Sequence, residues 1–291
     1  MTLREYYKIH EREINRLIIS ALKEDKVKQD VTSNLCFNEK ANLLITAELL
    51  CKGDGILAGL DVFKKVFHHV NTGITFKAGK FKDSGKIKKG DSVLQIKGKV
   101  KDILACERTA LNFIQRMSGI ATLTNYFVRN LKYPNAKILH TRKTTPNFRV
   151  FEIAAVKTGG GDFHRYDLSS AVMIKDNHII GSNDLKQLLE HIDFSKVRST
   201  KRFEVEVKNM DELKLIAENY SKYVEIVMLD NFNPAKIYAG SEILSKKGIK
   251  VEISGGINLL NFSKIQHPKV DYYSIGMLTH SYKSLDFSLE F

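Results

Sequence analysis

Hydrophobic residues in the first third of the chain follow both helical and strand spacing. The spacing predicts helices over 9–23 and 61–70, and strands over 43–50, 74–78 and 92–96. The polar stretch 26–34 predicts a loop. Short strands mixed with two helices are typical of a small α+β domain.

The pattern changes after about Asp102. A long helical pattern covers 103–131, and strands and helices then alternate regularly. The predicted strands are 137–141, 171–175, 203–207, 225–229, 250–254 and 271–275. The predicted helices between them are 148–158, 184–192, 209–220, 234–247 and 258–266. Six β–α units in series imply a parallel sheet, either doubly wound or closed into a barrel.

Polar or glycine residues follow nearly every predicted strand of this second part. They are Thr141-Arg142, Lys175-Asp176, Glu206, Asp230-Asn231, Ser254-Gly255-Gly256 and Gly276. In an α/β barrel the carboxyl ends of the strands share one face, and that face holds the active site. The pattern therefore predicts one site, built from several strand ends.

Basic residues concentrate between Ile138 and Ile179, where few acids accompany them. They are Arg142, Lys143, His164, Arg165 and Lys175. Arginine grips carboxylates or phosphates with two hydrogen bonds, and lysine adds a point charge. Most such residues are solvated surface charges, but Lys175 ends the apolar run AVMI, where a surface lysine is less expected. The cluster therefore favours a site for a small, multiply anionic ligand.

Two carboxylates follow neighbouring predicted strands. Glu204 and Glu206 share one face of the strand 203–207, and Asp230 follows the next strand. Mg²⁺ in proteins takes one or two carboxylates together with substrate phosphates. A salt bridge to the basic cluster would explain the same acids equally well. The residues alone leave both interpretations open.

The last two strands are each followed by a glycine turn. Ser254-Gly255-Gly256 follows one, and Gly276 follows the other, four residues before His280. Backbone N–H groups in such turns can surround a phosphate, and phosphate sites of α/β barrels often lie there. We therefore expect a phosphate cradle in this part of the chain.

Seven segments, in this order, resemble the quinolinate phosphoribosyltransferase family. They are CERTALNFIQRMSGIAT (106–122), HTRKTTP, GGG followed by HR, IKDNH, FEVEV, VMLDNF and SGGI. The resemblance implies an incomplete α/β barrel of about six parallel strands, plus an N-terminal open-faced α+β sandwich. The sandwich would span 1–110 with a returning tail at about 281–291, and the barrel 111–280 would carry the site.

The same resemblance implies a reaction and the residues that perform it. Quinolinate and phosphoribosyl pyrophosphate would give nicotinate mononucleotide, pyrophosphate and CO₂, a step of de novo NAD synthesis. The implied quinolinate-binding residues are Thr141, Arg142, His164, Arg165 and Lys175, with Arg108 supplied by a partner subunit of a homodimer or larger homo-oligomer. The implied phosphoribosyl pyrophosphate ligands are Lys143, Ser254, Gly255, Gly256, Gly276 and His280.

Resemblance also implies Mg²⁺ at Glu206 and Asp230, with Glu206 preferred over Glu204 by motif register. Lys143, Lys175, Glu206 and Asp230 are the expected catalytic residues. Three positions depart from the family pattern. His140 stands where an acid is usual, Phe163 where asparagine is common, and Asn147 where glycine is usual.

Composition narrows the alternatives. A hydrophobic content of 43% is that of a globular protein, and three lone cysteines are typical of a cytoplasmic one. The first twenty residues lack the apolar core of a signal peptide, and no apolar run reaches bilayer length. We therefore expect no membrane association.

The net charge of +13 raises the possibility of a basic RNA-associated module, but the lysines are widely spread and are not interleaved with aromatic residues. We expect no nucleic-acid partner. The other alternative is a molybdenum-transport-associated relative acting on another base, and the segment KDNH (175–178) favours the quinolinate enzyme over it.

Overall fold

The chain begins with two helices, of which the second matches the helix predicted over 9–23 to within two residues and the first was not predicted. In the computed structural model, which describes residues 1–38, 40, 42–198 and 202–291, α1 spans Leu3–Ile9 and α2 spans Glu11–Glu24. Thr2 and Glu5 form a capping box, in which each side chain accepts a hydrogen bond from the other residue's backbone N–H. This cap starts a helix that hydrophobic spacing alone cannot detect.

The predicted loop over 26–34 is wrong, because this segment forms a short turn and the start of a helix. A 3₁₀ turn, Val27–Gln29, precedes helix α3, Val31–Cys36. The carboxylate of Asp30 accepts a hydrogen bond of 3.0 Å from the backbone N–H of Ser33. A helix of six residues is too short to show an apolar period, so only its N-cap marks it in the sequence.

The first of two compact units consists of residues 1–126, 144–160 and 278–291. Its remaining elements are β1 Leu44–Cys51, β2 Gly55–Ile56, α4 Leu60–Val70, β3 Thr75–Ala78, β4 Lys86–Ile87, β5 Ser92–Lys99, most of α5 Val100–Arg129, α6 Arg149–Thr158, most of α11 Met277–His280, and β12 Phe287–Glu290. Four antiparallel strands form the sheet β12-β1-β5-β3. Leu289 pairs with Leu49 and Phe287 with Cys51, so the C-terminal strand is part of this sheet.

The second unit, 127–143 and 161–277, holds the six parallel strands. They are β6 Lys137–Leu139, β7 Val172–Ile174, β8 Phe203–Val207, β9 Ile226–Asp230, β10 Lys250–Ser254 and β11 Tyr272–Ser274. The helices between them are α7 Leu185–Glu190, α8 Phe194–Arg198, α9 Met210–Leu215 and α10 Pro234–Lys246. All six strands lie where the sequence predicts them, to within two residues.

Two helical predictions in this unit are wrong in detail. The stretch 258–266 holds only a 3₁₀ turn, Phe262–Lys264, because the Asn258 side chain accepts hydrogen bonds from the backbone N–H groups of Leu260 and Asn261 and folds the chain into a turn. The predicted helix 209–220 becomes the π-helical segment Ile216–Tyr220 in its second half.

Strand order identifies the architecture as an incomplete α/β barrel. The order is β6-β11-β10-β9-β8-β7, so the first strand lies beside the last, as it does in a closed barrel. The first and second strands, β6 and β7, form the two edges and do not pair. Asp162 makes a parallel bridge with Leu139, and its N–H donates to the carbonyl of Ile138 at 2.7 Å, which covers part of the β6 edge. The predicted fold class is confirmed.

Register divides the side chains of this sheet between two faces. Residues paired across parallel strands point to the same side, and the side alternates along each strand. The outer face carries apolar groups: Phe203, Val205, Val207, Val227, Leu229, Val251, Ile253 and Tyr273. Phe194 and Phe262 pack on this face, with ring centroids 5.7 Å from Phe203 and 5.4 Å from Tyr273.

The opposite side, hereafter the polar face, carries charged and hydroxyl groups towards the carboxyl ends of the strands. They are Glu204, Glu206, Asp230, Glu252, Ser254 and Ser274, with Lys175 continuing the line of β7. Parallel sheets are ordinarily apolar on both faces, so this polarity marks the functional side of the unit. Within the described part of the chain, no helix is both long and apolar enough to cross a membrane.

Candidate active site on the polar face of the parallel sheet

The turn after β6 presents the first predicted site residues. Thr141 caps this turn, since its hydroxyl accepts a hydrogen bond of 3.1 Å from the backbone N–H of Lys143. Arg142 is half-buried, and its Nε atom is buried without a hydrogen-bond partner among the described residues. Lys143 is exposed. A buried guanidinium nitrogen without an acceptor is costly unless a ligand supplies one.

The next predicted pair, His164 and Arg165, follows the segment that covers the β6 edge. Burial lowers the pKa of Arg165, and the positive charge of Arg142 lowers it further, while Glu204, Glu252 and Glu206 act in the opposite direction. Arg142 and Arg165 therefore lie close enough to repel each other. An anion bound between them would remove that repulsion.

Lys175 lies in the turn after β7 and forms an ion pair with Glu206 on β8. Its ammonium contacts the Oε2 atom of Glu206, whose side chain is only 7% exposed. Beside it, Asp176 pairs with Lys208 at 3.0 Å. Both pairs link the end of β7 to the end of β8. Lys175 and Asp176 follow β7, and their partners Glu206 and Lys208 lie at the end of β8, so each strand end carries one acid and one base. For Glu206 the structure thus provides the salt bridge that the sequence offered as one of two interpretations.

Deeper on the polar face, His164 meets two buried glutamates. Its Nε2 atom lies 3.5 Å from Oε2 of Glu204 and 3.3 Å from Oε2 of Glu252. Nη2 of Arg202 approaches the same two oxygens at 3.3 and 3.6 Å. The hydroxyl of Ser274 donates a hydrogen bond of 2.5 Å to Oε1 of Glu252. We call these five residues the buried quintet.

The quintet is electrically balanced when both glutamates and both basic groups are charged. Burial alone would lower the pKa of His164, but Glu252 and Glu204 outweigh it and raise this pKa to about 9. Burial and then the charge of Glu252 raise the pKa of Glu204. Burial works against Glu252 as well, but His164, the Ser274 hydroxyl and Arg202 together lower the pKa of Glu252. The imidazole is therefore held as a cation at neutral pH.

The geometry of the quintet also resembles a metal site. Ligand atoms of His164, Glu204 and Glu252 all lie within 4.8 Å of one another. However, Arg202 already contacts both carboxylates, so a divalent cation would add charge to a balanced group and compete with a guanidinium. We therefore interpret the quintet as an ion-pair network.

At the far side of the polar face, Asp230 adjoins the predicted glycine turn. Its Oδ2 atom accepts a hydrogen bond of 2.8 Å from the side chain of Asn231, and the backbone N–H of Asn231 donates to the Ser254 carbonyl at 3.0 Å. Gly255 has φ +90°, and a Cβ atom there would lie 2.4 Å from Oδ1 of Asn231. Only glycine fits at this position, which keeps the backbone of the turn open beside Asp230.

The second unit contains most of the predicted site residues. They are Thr141, Arg142, Lys143, His164, Arg165, Lys175, Glu206, Asp230, Ser254, Gly255, Gly256 and Gly276. Arg108 and His280 belong to the first unit, where Arg108 is exposed on α5 and His280 ends α11 with Nδ1 2.6 Å from the Ser281 hydroxyl. The roles of all these residues remain predictions.

Sequence reasoning missed three members of the quintet, Arg202, Glu252 and Ser274, and left Glu204 as a second choice. A signal for Glu252 was present, because it is a lone acid inside the predicted strand KVEIS of a parallel sheet, where both faces are ordinarily apolar. Arg202 carried no such signal, since it precedes its strand. Ser274 ends a strand and resembles any polar strand terminus.

The chain matches known proteins over nearly its whole length. Residues 30–118 match the family described as quinolinate phosphoribosyl transferase, N-terminal domain, and residues 120–290 match the C-terminal domain of the same family. A probable nicotinate-nucleotide pyrophosphorylase (carboxylating) of Archaeoglobus fulgidus is 40% identical over 251 residues, 84% of this chain and 93% of the relative. One of Bacillus subtilis, with the same name, is 35% identical over 96% of this chain and 93% of the relative.

Solved structures agree with these relatives. The crystal structure of NadC from Streptococcus pyogenes is similar to this chain with a TM-score of 0.87 and 38% sequence identity, and the match covers 96% of both chains. The nicotinate-nucleotide pyrophosphorylase structure from Francisella tularensis matches with a TM-score of 0.84 at 35% identity, again over 96% of both.

The balance of the quintet predicts a measurable titration. The folded pKa of His164 lies above the ordinary value of 6.5, so the stabilisation is complete below pH 6.5 and is lost as the pH rises through about 9. Between these values the free energy of unfolding should fall by about 1.4 kcal/mol per pH unit from this residue alone. The ring proton resonances of His164 in NMR spectra should titrate near pH 9, and a midpoint at or below 6.5 would contradict the charged state.

Proposed function

The chain belongs to the quinolinate phosphoribosyl transferase family, and on that basis we propose that it converts quinolinate and phosphoribosyl pyrophosphate to nicotinate mononucleotide, pyrophosphate and CO₂. The reaction is a decarboxylating phosphoribosyl transfer that serves NAD synthesis. The observation that carries the proposal is the polar face, where basic turns from three parts of the chain lie beside buried carboxylates. Such a face suits two ligands bound side by side, a dianion and a sugar phosphate.

We propose that four basic residues hold quinolinate. Arg142 and Arg165 supply guanidinium forks for one or both carboxylates, and His164 and Lys175 add two further cationic donors. We add Thr141 to this set, because it caps the turn that carries Arg142. Such a set of donors would hold the pyridine nitrogen of quinolinate against C1 of the ribose. Holding two reacting atoms in this way lowers the activation barrier, because their orientation is already fixed before the reaction.

The phosphate groups of the second substrate fit the other side of the face. Gly255 and Gly256 both have positive φ, of +90° and +57°, and follow β10 directly. Backbone without side chains leaves room for a phosphate to approach the N–H groups of this turn. We assign the 5-phosphate to Ser254, Gly255, Gly256 and Gly276 of the second unit. Exposed Lys143 would then meet the pyrophosphate group.

Mg²⁺ is the metal that this chemistry calls for, and the carboxylates of the polar face fit it. Asp230 and Glu206 lie at the ends of neighbouring strands and offer oxygen ligands, which Mg²⁺ prefers together with substrate phosphates. Glu206 is already paired with Lys175, whereas Asp230 has no ion pair within the described residues. We therefore assign the larger share of metal binding to Asp230. Bound Mg²⁺ would neutralise charge on the pyrophosphate leaving group.

The sequence of bond changes follows from these positions. The bond between C1 and the pyrophosphate oxygen breaks, and the oxygen keeps the electron pair. The pyridine nitrogen then forms its bond to C1, and the ring becomes cationic. The adjacent carboxylate leaves as CO₂, and the electron pair left on the ring carbon is stabilised by the cationic nitrogen until a proton from water replaces the lost group. Glu206, buried on the polar face, would stabilise positive charge on the ribose in the first step.

We further propose that the active enzyme is at least a homodimer. Arg108 is exposed on α5 of the first unit, so it is accessible to a second copy of the chain. By its place in the family motif it would complete the quinolinate site of the partner.

The reaction is tested by release of CO₂ from quinolinate labelled at the 2-carboxylate, with phosphoribosyl pyrophosphate and Mg²⁺ present and nicotinate as the control substrate.

Arg142→Ala should raise the Michaelis constant for quinolinate, because removing one partner of a buried charge contact costs roughly 2–5 kcal/mol. Arg129→Ala removes an exposed arginine of the same unit and is the matched control. An unchanged Michaelis constant in Arg142→Ala would remove this residue from the site.

Metal binding is tested by comparing Asp230→Asn with Glu206→Gln. The Mg²⁺ concentration that gives half-maximal rate should rise by about tenfold or more in Asp230→Asn, since even the loss of a residue that supports a metal ligand typically lowers metal affinity about 10- to 100-fold. The rise should be smaller in Glu206→Gln. The reverse order would transfer the metal from Asp230 to Glu206.

Subunit sharing is tested by mixing two variants that are inactive alone, Arg108→Ala and Lys175→Ala. Random exchange between dimers makes half of them hybrids with one intact site each, so activity should recover to about a quarter of the wild-type value. A mixture that stays inactive after verified subunit exchange would show that Arg108 acts within its own chain or not at all.

A further inference from the structure

Part of the buried quintet has no place in the proposed chemistry. Glu204, Glu252, Arg202 and Ser274 are not among the residues assigned to either substrate or to the metal. Both glutamate side chains are at most 1% exposed, and Ser274 is 4% exposed. Charged groups are costly to bury, and they persist where a structure or a function needs them.

The contacts of the quintet converge on one ring nitrogen. Nε2 of His164 faces Oε2 of both Glu204 and Glu252, at 3.5 and 3.3 Å. This nitrogen is buried and has no hydrogen-bond partner among the described residues, so its contacts with the two carboxylates are ion pairs. The other ring nitrogen, Nδ1, is therefore the only one that can reach a ligand.

The backbone of His164 is fixed by a separate contact. Its N–H donates a hydrogen bond of 3.0 Å to Nε2 of His140, which is 1% exposed. Since Nε2 of His140 accepts, its Nδ1 atom carries the hydrogen in the neutral ring and can donate to the carbonyl of Thr141, 3.2 Å away. Main chain and ring of His164 are thus held from opposite ends, by His140 and by the glutamates.

Glu252 is itself oriented. Ser274 donates to its Oε1 atom at 2.5 Å, which leaves Oε2 for His164 and Arg202. Arg202 in turn lies over the ring of Tyr272, at 5.4 Å from the ring centroid. Ser274 on β11 thus orients Glu252 on the adjacent strand β10, and Arg202 contacts both glutamates.

We propose that Glu204 and Glu252 are positioning residues that fix the imidazole of His164, with Nε2 bound inside the protein and Nδ1 presented to a carboxylate of the substrate. Ser274 and Arg202 hold the two glutamates in place. The inference rests on the proposed function, since it takes quinolinate as the ligand of His164. It makes the quintet a determinant of affinity for the dianion and leaves phosphoribosyl pyrophosphate unaffected.

Glu252→Gln tests the inference, because it keeps the shape and removes the charge. The Michaelis constant for quinolinate should rise about 10- to 100-fold, because the ion pair that fixes the ring of His164 loses one of its charges. The Michaelis constant for phosphoribosyl pyrophosphate should change less than about twofold, and the far-ultraviolet circular dichroism spectrum should be unchanged. Glu242→Gln, which removes a surface acid paired with Lys269 in the same unit, is the matched control.

A double-mutant cycle shows whether the effect passes through His164. In a His164→Asn background, Glu252→Gln should raise the quinolinate Michaelis constant by less than about twofold, because the ring that it positions is gone. Full additivity of the two substitutions would overturn the inference. Equal increases in both Michaelis constants would also overturn it, since they indicate a general loss of structure.

Ser274→Ala decides the question if Glu252→Gln does not fold. It removes the hydroxyl hydrogen bond that orients Glu252 and keeps the charge of Glu252, so the quinolinate Michaelis constant should rise about 3- to 10-fold with kcat nearly unchanged. No change would count against the inference. Absence of turnover in the wild type would reject the proposed function and this inference together, whereas normal wild-type turnover with unaffected Glu252→Gln and Ser274→Ala variants would reject the inference alone.

Discussion

Charge compensation on the polar face is the constraint on which the second unit depends. Glu204 and Glu252 are almost completely inaccessible to solvent, and neither could remain charged there without His164 and Arg202. Breaking such a pair by removing one partner costs several kcal/mol, because a buried charge is left alone. The positions of these groups on different strands thus tie the register of the sheet to its electrostatics: a shift of one residue would turn every acid towards the apolar side.

The incomplete closure of the barrel serves the same face. β6 and β7 are the edge strands, and the turns that follow them carry Arg142 and Lys175. The segment with Asp162 lines the β6 edge and leads directly to His164 and Arg165. A closed barrel would pair β6 with β7 along this line. Leaving the pair open gives the chain between these strands room to bring basic residues to the polar face.

Much of this arrangement could be predicted from the sequence, for a physical reason. Six apolar runs at regular spacing mark the strands, because parallel strands are buried, and the polar residues that end them mark one face. The pairing of Lys175 with Glu206 was one of two open interpretations. Arg202 and Ser274 could not be predicted, since their function depends on which strands become neighbours. The capped helices α1 and α3 were missed because a cap acts through one hydrogen bond and leaves no period in the hydrophobic pattern.

Residues 140 and 147, where we expect the chain to depart from the family pattern, each have a local structure that suits the residue present. The backbone of Asn147 has φ +59°, a conformation that asparagine tolerates better than most residues. His140 accepts a hydrogen bond from the backbone N–H of His164. A carboxylate could accept that bond equally well. The requirement at residue 140 is therefore a buried acceptor, whatever its charge, and a neutral imidazole meets it without adding a third negative group beside Glu204 and Glu252.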